Sequence, residues 1–196
     1  KNLRQGTMNK ATDQSDGPRV CLLTGASKRL GACTARKFHG AGFNVIIHYN
    51  NSREAAEALV AELNAARAAS ACSLQTDLTD RDQVQSLAQR ALDCYRRLDV
   101  LVNNASAFYP TPFAECSDED WDALIDSNLR AAYFLAQRLA PELERRCGSI
   151  INMTDTHADN PLKGFPIYSI AKAGVKAMTK SLAKELAPRV RVNGVS

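Results

Sequence analysis

The sequence predicts an α/β fold in which helices cover both faces of a parallel sheet. Short apolar segments alternate with helix-patterned segments from about residue 19 onward, which is the order of βαβ units. A glycine-rich turn directly follows the first apolar segment, as in doubly wound nucleotide-binding folds. At 196 residues and 45% hydrophobic composition, the chain can bury one core of domain size.

Six strands and five helices are predicted along the chain. The strands are expected at residues 19–23, 43–49, 71–75, 98–102, 149–153 and 190–196. Helices are expected after the glycine turn to about 41, at 52–67, after Asp80, at 121–143 and between Pro166 and Pro188. Asp80 stands at an N-cap position, and residues 117–120 resemble a capping box with an acidic first turn. Residues 1–17 are polar and aperiodic, so we interpret them as a disordered leader or cloning remnant ahead of a single domain, 18–196.

Composition argues against several classes of protein. No apolar run approaches the roughly 18 residues that span a bilayer, and there is no signal-peptide pattern, so a cytoplasmic protein without a membrane partner is expected. A net charge of +4 is too small to indicate a nucleic-acid surface. The six cysteines form no Cys-x-x-Cys pair, which favours reduced thiols. The three histidines, His39, His48 and His157, lack metal-ligand spacing, so no metal is expected.

Tyr168 and Lys172 carry the main chemical signal. Positions four apart share one face of a helix, so the ammonium can lie below the phenol and favour its phenolate. A proton donor tuned in this way suits hydride chemistry. Asp155 precedes the tyrosine by thirteen residues. Tyr-x-x-x-Lys also arises by chance in helices, so the pair gains meaning only from the rest of the chain.

Three segments carry a family resemblance: Thr-Gly-Ala-Ser-Lys-Arg-Leu-Gly at 24–31, Asn-Asn-Ala-Ser at 103–106 and Tyr-Ser-Ile-Ala-Lys at 168–172. In order and spacing they resemble the short-chain dehydrogenase/reductase family, over residues 19–196. The family usually has serine where this chain has Asp155. That aspartate, Arg29 in the glycine turn and the run Asn-Ala-Ser-Ala-Phe-Tyr-Pro-Thr-Pro at 104–112 look like the pteridine reductases.

The resemblance implies a Rossmann-like fold with a further strand and a substrate-covering segment that are absent from this chain. The sequence is therefore expected to be a fragment with a bare sheet edge. A homo-oligomer is also implied, expected to be a tetramer joined through the helices around 117–144 and 166–187.

The cofactor is expected to be NADP(H). Gly25 permits a tight turn and Gly31 close packing, so helix-start N–H groups can face a pyrophosphate. Residues 48–53 lack the carboxylate that NAD-specific relatives use, and a 2′-phosphate fits the donors there. These donors are Asn51, Ser52, Arg53 and nearby Lys28. The alternative left open is that Asn51 and Ser52 only cap the next helix.

The resemblance assigns the remaining candidate residues. It implies that Arg29 contacts cofactor phosphate and pterin, that Asp77 and Leu78 contact adenine, and that Phe108 stacks on the pterin. It also implies that Asn128 holds a backbone carbonyl in place for a water relay and that Ser106 lies near both cofactor and substrate. The other implied cofactor contacts are Leu30, Asn104 and Ala105. The open alternatives are a solvated Arg29, a turn residue at Asp77, a core Phe108 and a merely satisfied, buried Asn128.

The predicted reaction is hydride transfer from NADPH to a C=N bond of an oxidised pterin, biopterin or folate in type. Tyr168 would contact both cofactor and pterin and supply the proton. Lys172 would orient the nicotinamide ribose and lower the tyrosine pKa, and Asp155 would bond the pterin or Tyr168. An ionised carboxylate accepts but cannot donate, which matches the N–H groups of a pterin better than a ketone oxygen. The alternatives are another carbonyl or 3-oxoacyl reductase and a non-catalytic NADP(H)-binding regulator.

Overall fold

The computed structural model describes residues 17–196, so the predicted leader at 1–17 lies outside the described residues except for Gly17. Six parallel strands form one sheet in the order β3-β2-β1-β4-β5-β6. They are β1 Val20–Leu23, β2 Asn44–Tyr49, β3 Ala71–Gln75, β4 Val100–Asn103, β5 Ser149–Met153 and β6 Arg191–Val195. The predicted doubly wound fold is confirmed, with strand ends shifted by one or two residues.

In the part of the chain that the structure describes, six α-helices connect the strands. They are α1 Arg29–Gly40, α2 Arg53–Ala66, α3 Arg81–Tyr95, α4 Asp118–Ile125, α5 Ala131–Arg145 and α6 Pro166–Glu185. Both predicted N-terminal signals are confirmed: the Asp80 carboxylate accepts the N–H groups of residues 82 and 83, and Ser117 forms a capping box with Asp120. No helix within residues 17–196 combines the length and apolarity needed to cross a membrane.

The core lies in two layers, one on each face of the sheet. Cys21 and Leu23 of β1 point into a cluster that α1 and α2 cover with alanine and leucine side chains. Leu22, between them, points into the opposite cluster, beneath α3, α5 and α6. This alternation follows from the period of two along a strand, and burial on both faces explains why β1 is apolar throughout.

The single long helix predicted at 121–143 is corrected by the structure. A π-helical segment, Asp126–Arg130, separates α4 from α5. The Ser127 hydroxyl donates to the Ala123 carbonyl at 2.6 Å, and the Asn128 amide donates to the Leu124 carbonyl at 2.9 Å. Side chains that bond carbonyls four residues back compete with the backbone ladder, and π-helical turns of this kind often mark functional sites.

The strand order reverses beside β1, whose neighbours are β2 and β4. The chain leaves the carboxyl ends of β1 and β4 at Thr24 and Asn104 respectively. In open α/β sheets ligands bind at such a switch point. The glycine turn and the Asn-Asn-Ala-Ser segment therefore meet at the edge where a cofactor is expected.

Candidate active site

The glycine turn packs closely against the segment after β4. Gly25 has a φ of +60°, which favours glycine, and a Cβ there would lie 2.8 Å from the Ala105 Cα. A Cβ on Gly31 would lie 2.5 Å from the Gly25 carbonyl oxygen. Neither position has room for a side chain, so both glycines bring backbone close to backbone at the start of α1.

Thr24 and Asn104 hold this arrangement together. The Thr24 hydroxyl oxygen accepts the N–H groups of Asn104 and Ala105, each at 3.0 Å. The Asn104 amide donates to the carbonyls of Thr24 and Gly25 at 2.8 and 3.0 Å. These four bonds join the ends of β1 and β4. Thr24 was not among the predicted site residues, although a threonine between a buried strand and a glycine is a usable signal.

The N-terminus of α1 is open to an anion. Lys28 is the N-cap residue, its side chain makes no capping bond, and the first turn contains no acidic residue. Unsatisfied N–H groups at such an end favour negative charge. A cavity of about 510 Å³ lies here, and eleven predicted cofactor positions line it: Gly25, Lys28, Arg29, Leu30, Gly31, Ser52, Asp77, Leu78, Asn104, Ala105 and Ser106.

Four predicted cofactor positions are not part of that lining: Asn51, Arg53, Tyr168 and Lys172. The guanidinium of Arg53 pairs instead with Glu57 at 3.4 Å on the exposed face of α2. Asn50 and His48 line the cavity, and neither was predicted. Ser52 is the N-cap residue of α2, but its side chain makes no capping bond. The alternative that the Ser52 side chain caps α2 is therefore not supported.

Arg29 has an unusual backbone. Its φ is +49°, in the left-handed region that favours glycine and costs other residues of order 1 kcal/mol or more. The side chain is exposed, and within residues 17–196 its guanidinium makes no ion pair or hydrogen bond. A strained arginine whose charge is unpaired, at the lip of a cavity, fits a role in binding a ligand.

Ser106 connects the cavity with Asn128. The Ser106 hydroxyl donates to the Asn128 side-chain oxygen at 2.7 Å, and the Asn128 amide donates to the carbonyl of Ala107 at 3.0 Å. Asn128 is buried, so these bonds fix residues 106 and 107 against the π-helical segment. Its predicted part in a water relay stays a prediction.

Asp155, Tyr168 and Lys172 lie together at the ends of β5 and α6. The Tyr168 hydroxyl donates to Asp155 Oδ2 at 2.6 Å, and the His157 N–H donates to Asp155 Oδ1 at 2.9 Å. The Lys172 ammonium donates to the Met153 carbonyl at 3.0 Å and lies 5.7 Å from the centroid of the Tyr168 ring. The phenol and the ammonium are both at least nine-tenths buried.

The pKa of Tyr168 corrects one expectation. Burial, then the hydrogen bond and negative charge of Asp155, raise the tyrosine pKa well above its usual value, while contact with Ser106 acts the other way. Lys172 was expected to lower it, but the lysine ammonium points to the end of β5, and burial lowers the lysine's own pKa. Tyr168 is thus a firmly protonated phenol at neutral pH.

Asp155 accepts the hydrogen bond from the Tyr168 hydroxyl. Burial acts to raise its pKa, but the His157 N–H, the Tyr168 hydroxyl and the charge of Lys172 together bring the pKa below its ordinary value. The carboxylate is therefore ionised at neutral pH. A carboxylate offers about four lone-pair positions. Two are used at short distance and a third by the Thr156 hydroxyl at 3.4 Å, so one acceptor position remains for a ligand.

Phe108 is an exposed aromatic surface beside Tyr168. Its ring is 4.8 Å from the tyrosine ring, edge to face, and stacks on Phe165 at 4.5 Å with the planes 8° apart. The residue is 53% exposed, so the alternative of a core phenylalanine does not hold. Phe165 covers one face of the ring, and the exposed part of the ring offers apolar surface.

Comparison with known proteins agrees with this geometry. Residues 19–196 match the model of the short chain dehydrogenase family. The chain belongs to this family. It is 39% identical over 179 residues to a 3-oxoacyl-[acyl-carrier-protein] reductase of Synechocystis sp., covering 90% of this chain and 72% of the relative. It is 40% identical over 216 residues to pteridine reductase 1 of Leishmania tarentolae, covering 90% and 75%. A 3-oxoacyl-[acyl-carrier-protein] reductase of Staphylococcus aureus is 35% identical over 177 residues, covering 89% and 72%.

Membership of this family makes the protein an NAD(P)-dependent oxidoreductase. The crowded glycines, the uncapped start of α1 and the cavity beside them fit a dinucleotide. Within residues 17–196, no group of three or more His, Cys, Asp or Glu side chains is placed to hold a metal ion. The two groups of relatives have similar identities, so the substrate has to be argued from the site.

Proposed function

We propose that the protein is an NADPH-dependent pteridine reductase acting on an oxidised biopterin- or folate-type pterin. The observation that carries the proposal is the ionised Asp155 carboxylate, bonded to the Tyr168 hydroxyl at 2.6 Å near the exposed ring of Phe108.

The phosphate form of the cofactor is favoured by charge. The cavity lining contains two cations, Lys28 and Arg29, and one carboxylate, Asp77. Asp77 follows β3 rather than β2, and its Oδ1 accepts both the N–H and the hydroxyl of Thr79, at 2.9 and 2.8 Å. A 2′-phosphate would meet Ser52 and Asn50 at the end of β2 and no acidic residue there.

Tyr168 is the proton donor in this proposal. When bound, the nicotinamide supplies a hydride to the carbon of the pterin C=N bond. The Tyr168 hydroxyl supplies the proton to the nitrogen, and the raised tyrosine pKa keeps that proton in place until charge develops on the substrate. Lys172, held by the Met153 carbonyl, keeps a positive charge beneath the ring and would orient the nicotinamide ribose.

Asp155 selects the substrate class. The Tyr168 hydroxyl can donate to the oxygen of a ketone, but an ionised carboxylate at position 155 adds no second donor to that oxygen. The remaining acceptor position of Asp155 can take an amino or ring N–H group of a pterin, while the exposed part of the Phe108 ring offers apolar surface to the bicyclic ring. Donors, acceptors and shape therefore favour a pterin over a 3-oxoacyl thioester.

The similarity to 3-oxoacyl-[acyl-carrier-protein] reductases favours a second candidate, reduction of a 3-oxoacyl thioester. Purified protein should be assayed for NADPH oxidation with dihydrobiopterin, dihydrofolate and acetoacetyl-coenzyme A. We expect kcat/KM for a pterin to exceed that for the thioester by at least about tenfold, equivalent to about 1.4 kcal/mol. A preference for the thioester would overturn the proposal and establish the second candidate.

A further inference from the structure

His48 is a buried polar residue at the carboxyl end of β2 that the proposed chemistry does not use. It is 1% exposed and lines the cavity beside the glycine turn. Both ring nitrogens have backbone partners: Nδ1 lies 3.0 Å from the Gly25 nitrogen, and Nε2 lies 3.0 Å from the Thr76 carbonyl oxygen. The ring therefore joins the turn after β1 to the residue after β3.

These partners determine where the ring proton lies. A backbone N–H can only donate, so Nδ1 must accept from Gly25, and a carbonyl oxygen can only accept, so Nε2 must carry the hydrogen. The ring is consequently the neutral Nε2–H tautomer. Burial lowers the His48 pKa to about 4, with Arg90 acting in the same direction, and the Thr76 carbonyl and Asp77 acting against it. The neutral form therefore persists at ordinary pH.

The backbone of His48 strengthens the same link. Its carbonyl accepts the Ala26 N–H at 2.9 Å, so two consecutive N–H groups of the turn bond to this one residue. Beside it, the Thr76 N–H donates to the Tyr49 carbonyl at 3.0 Å. Gly25 is the residue with a φ of +60° whose close approach to Ala105 shapes the cavity. An N–H in this crowded turn that lost its acceptor would favour another conformation.

We propose that His48 is a positioning residue: as the neutral Nε2–H tautomer, it holds the glycine turn in the conformation that binds the dinucleotide. The inference rests on the proposed cofactor site. His48 acts through Gly25, so its loss should weaken cofactor binding while kcat at saturating cofactor changes little.

The test compares dissociation constants for NADPH, measured by fluorescence titration, in three variants. His48→Phe keeps an aromatic ring, although a larger one, and removes both bonds, and we expect the dissociation constant to rise about tenfold. His48→Asn keeps an acceptor oxygen attached to Cγ, near the place of Nδ1, and should stay within about threefold of wild type. The matched control is His39→Phe, because His39 is also buried and bonds Ser70 at 2.7 Å, but it does not line the cavity.

The control separates positioning from general stability. His39→Phe should lower the melting temperature and leave NADPH affinity unchanged. Equal affinity in His48→Phe and wild type, or equal loss in both phenylalanine variants, would overturn the inference. If His48→Phe fails to fold, nitrogen-15 spectra of the histidine ring in wild-type protein decide instead, since a proton on Nδ1 of His48 contradicts the assignment. A wild-type protein that binds no NADPH would refute the proposed cofactor, a result separate from that of the ring spectra.

Discussion

Replacing Asp155 with asparagine removes the negative charge from the centre of the site and keeps its shape. In wild-type protein the His157 N–H donates to Oδ1 at 2.9 Å, and the remaining oxygen of the asparagine can still accept it. The new NH2 group takes the place of Oδ2, which accepts the Tyr168 hydroxyl at 2.6 Å, and an NH2 group can accept neither that hydroxyl nor an N–H group of a pterin. A hydrogen bond to a charged group contributes about 1.5–3 kcal/mol, so kcat/KM for dihydrobiopterin should fall roughly ten- to a hundredfold.

The pH profile gives the same substitution a second readout. Asp155 contributes, after burial, to the raised pKa of Tyr168, so removing its charge should lower that pKa. The alkaline decline of kcat/KM, where the phenol loses its proton, should therefore move to lower pH in Asp155→Asn. A profile that moves to higher pH would contradict this assignment of charges.

Two companion variants make the experiment specific. Asp159→Asn removes a nearby carboxylate that pairs with Lys176 on the surface, and it should leave pterin kcat/KM within about twofold of wild type. Asp155→Ser introduces a hydroxyl that can donate to a ketone, so activity on a simple ketone should rise as pterin activity falls. Affinity for NADPH should be unchanged, because Asp155 does not line the cofactor cavity. Undiminished pterin activity in Asp155→Asn would refute the substrate argument.

The remaining predictions concern cofactor, backbone, pH and assembly. Steady-state kinetics should show at least about a tenfold preference for NADPH over NADH, and equal use of both would refute the argument from charge. Arg29→Gly should raise stability to urea by about 1 kcal/mol, because its φ of +49° is strained, while NADPH affinity falls; lower stability would contradict the strain argument. The His48 pKa is lowered from 6.5 to about 4 on folding, so its contribution of about 3 kcal/mol is complete above pH 6.5 and is lost as the pH falls toward 4. His48→Asn should flatten the urea-stability profile in that window, and an unchanged slope would count against the burial argument. Light scattering should show a homo-oligomer, expected to be a tetramer, rather than a monomer, since α4, α5 and α6 expose large hydrophobic side chains: Trp121, Tyr133 and Ile170.

The sequence predicted the fold well because its signals are local. Continuous apolar segments, the Asp80 cap and the Ser117 capping box each depend on neighbouring residues, and the structure confirms them. The π-helical segment was missed because it depends on hydrogen bonds from the side chains of Ser127 and Asn128 to backbone carbonyls. Helical periodicity does not report such bonds.

The site was predicted less completely because its decisive contacts span distant positions. His48 meets Gly25 across 23 residues, and a lone histidine in a strand gives no sign of its partners. The helical spacing correctly predicted that Lys172 lies near Tyr168, but the predicted lowering of the Tyr168 pKa was wrong. The lysine ammonium bonds a carbonyl at the end of β5, and burial with Asp155 decides the direction. Spacing placed these groups together without showing where each proton points.

The most direct test of the central claim is transfer of deuterium from NADPH labelled at nicotinamide C4 to dihydrobiopterin. Two preparations of NADPH are used, each with deuterium on one of the two faces of nicotinamide C4. With one of them, mass spectrometry of the reduced pterin should show deuterium on the carbon of the former C=N bond. In Tyr168→Phe this deuterium should appear much more slowly. Two results would contradict the assignment of this protein as a pteridine reductase. In one, all deuterium remains on the nicotinamide. In the other, deuterium appears at C3 of the 3-hydroxyacyl thioester formed from a 3-oxoacyl thioester, while dihydrobiopterin is recovered unlabelled.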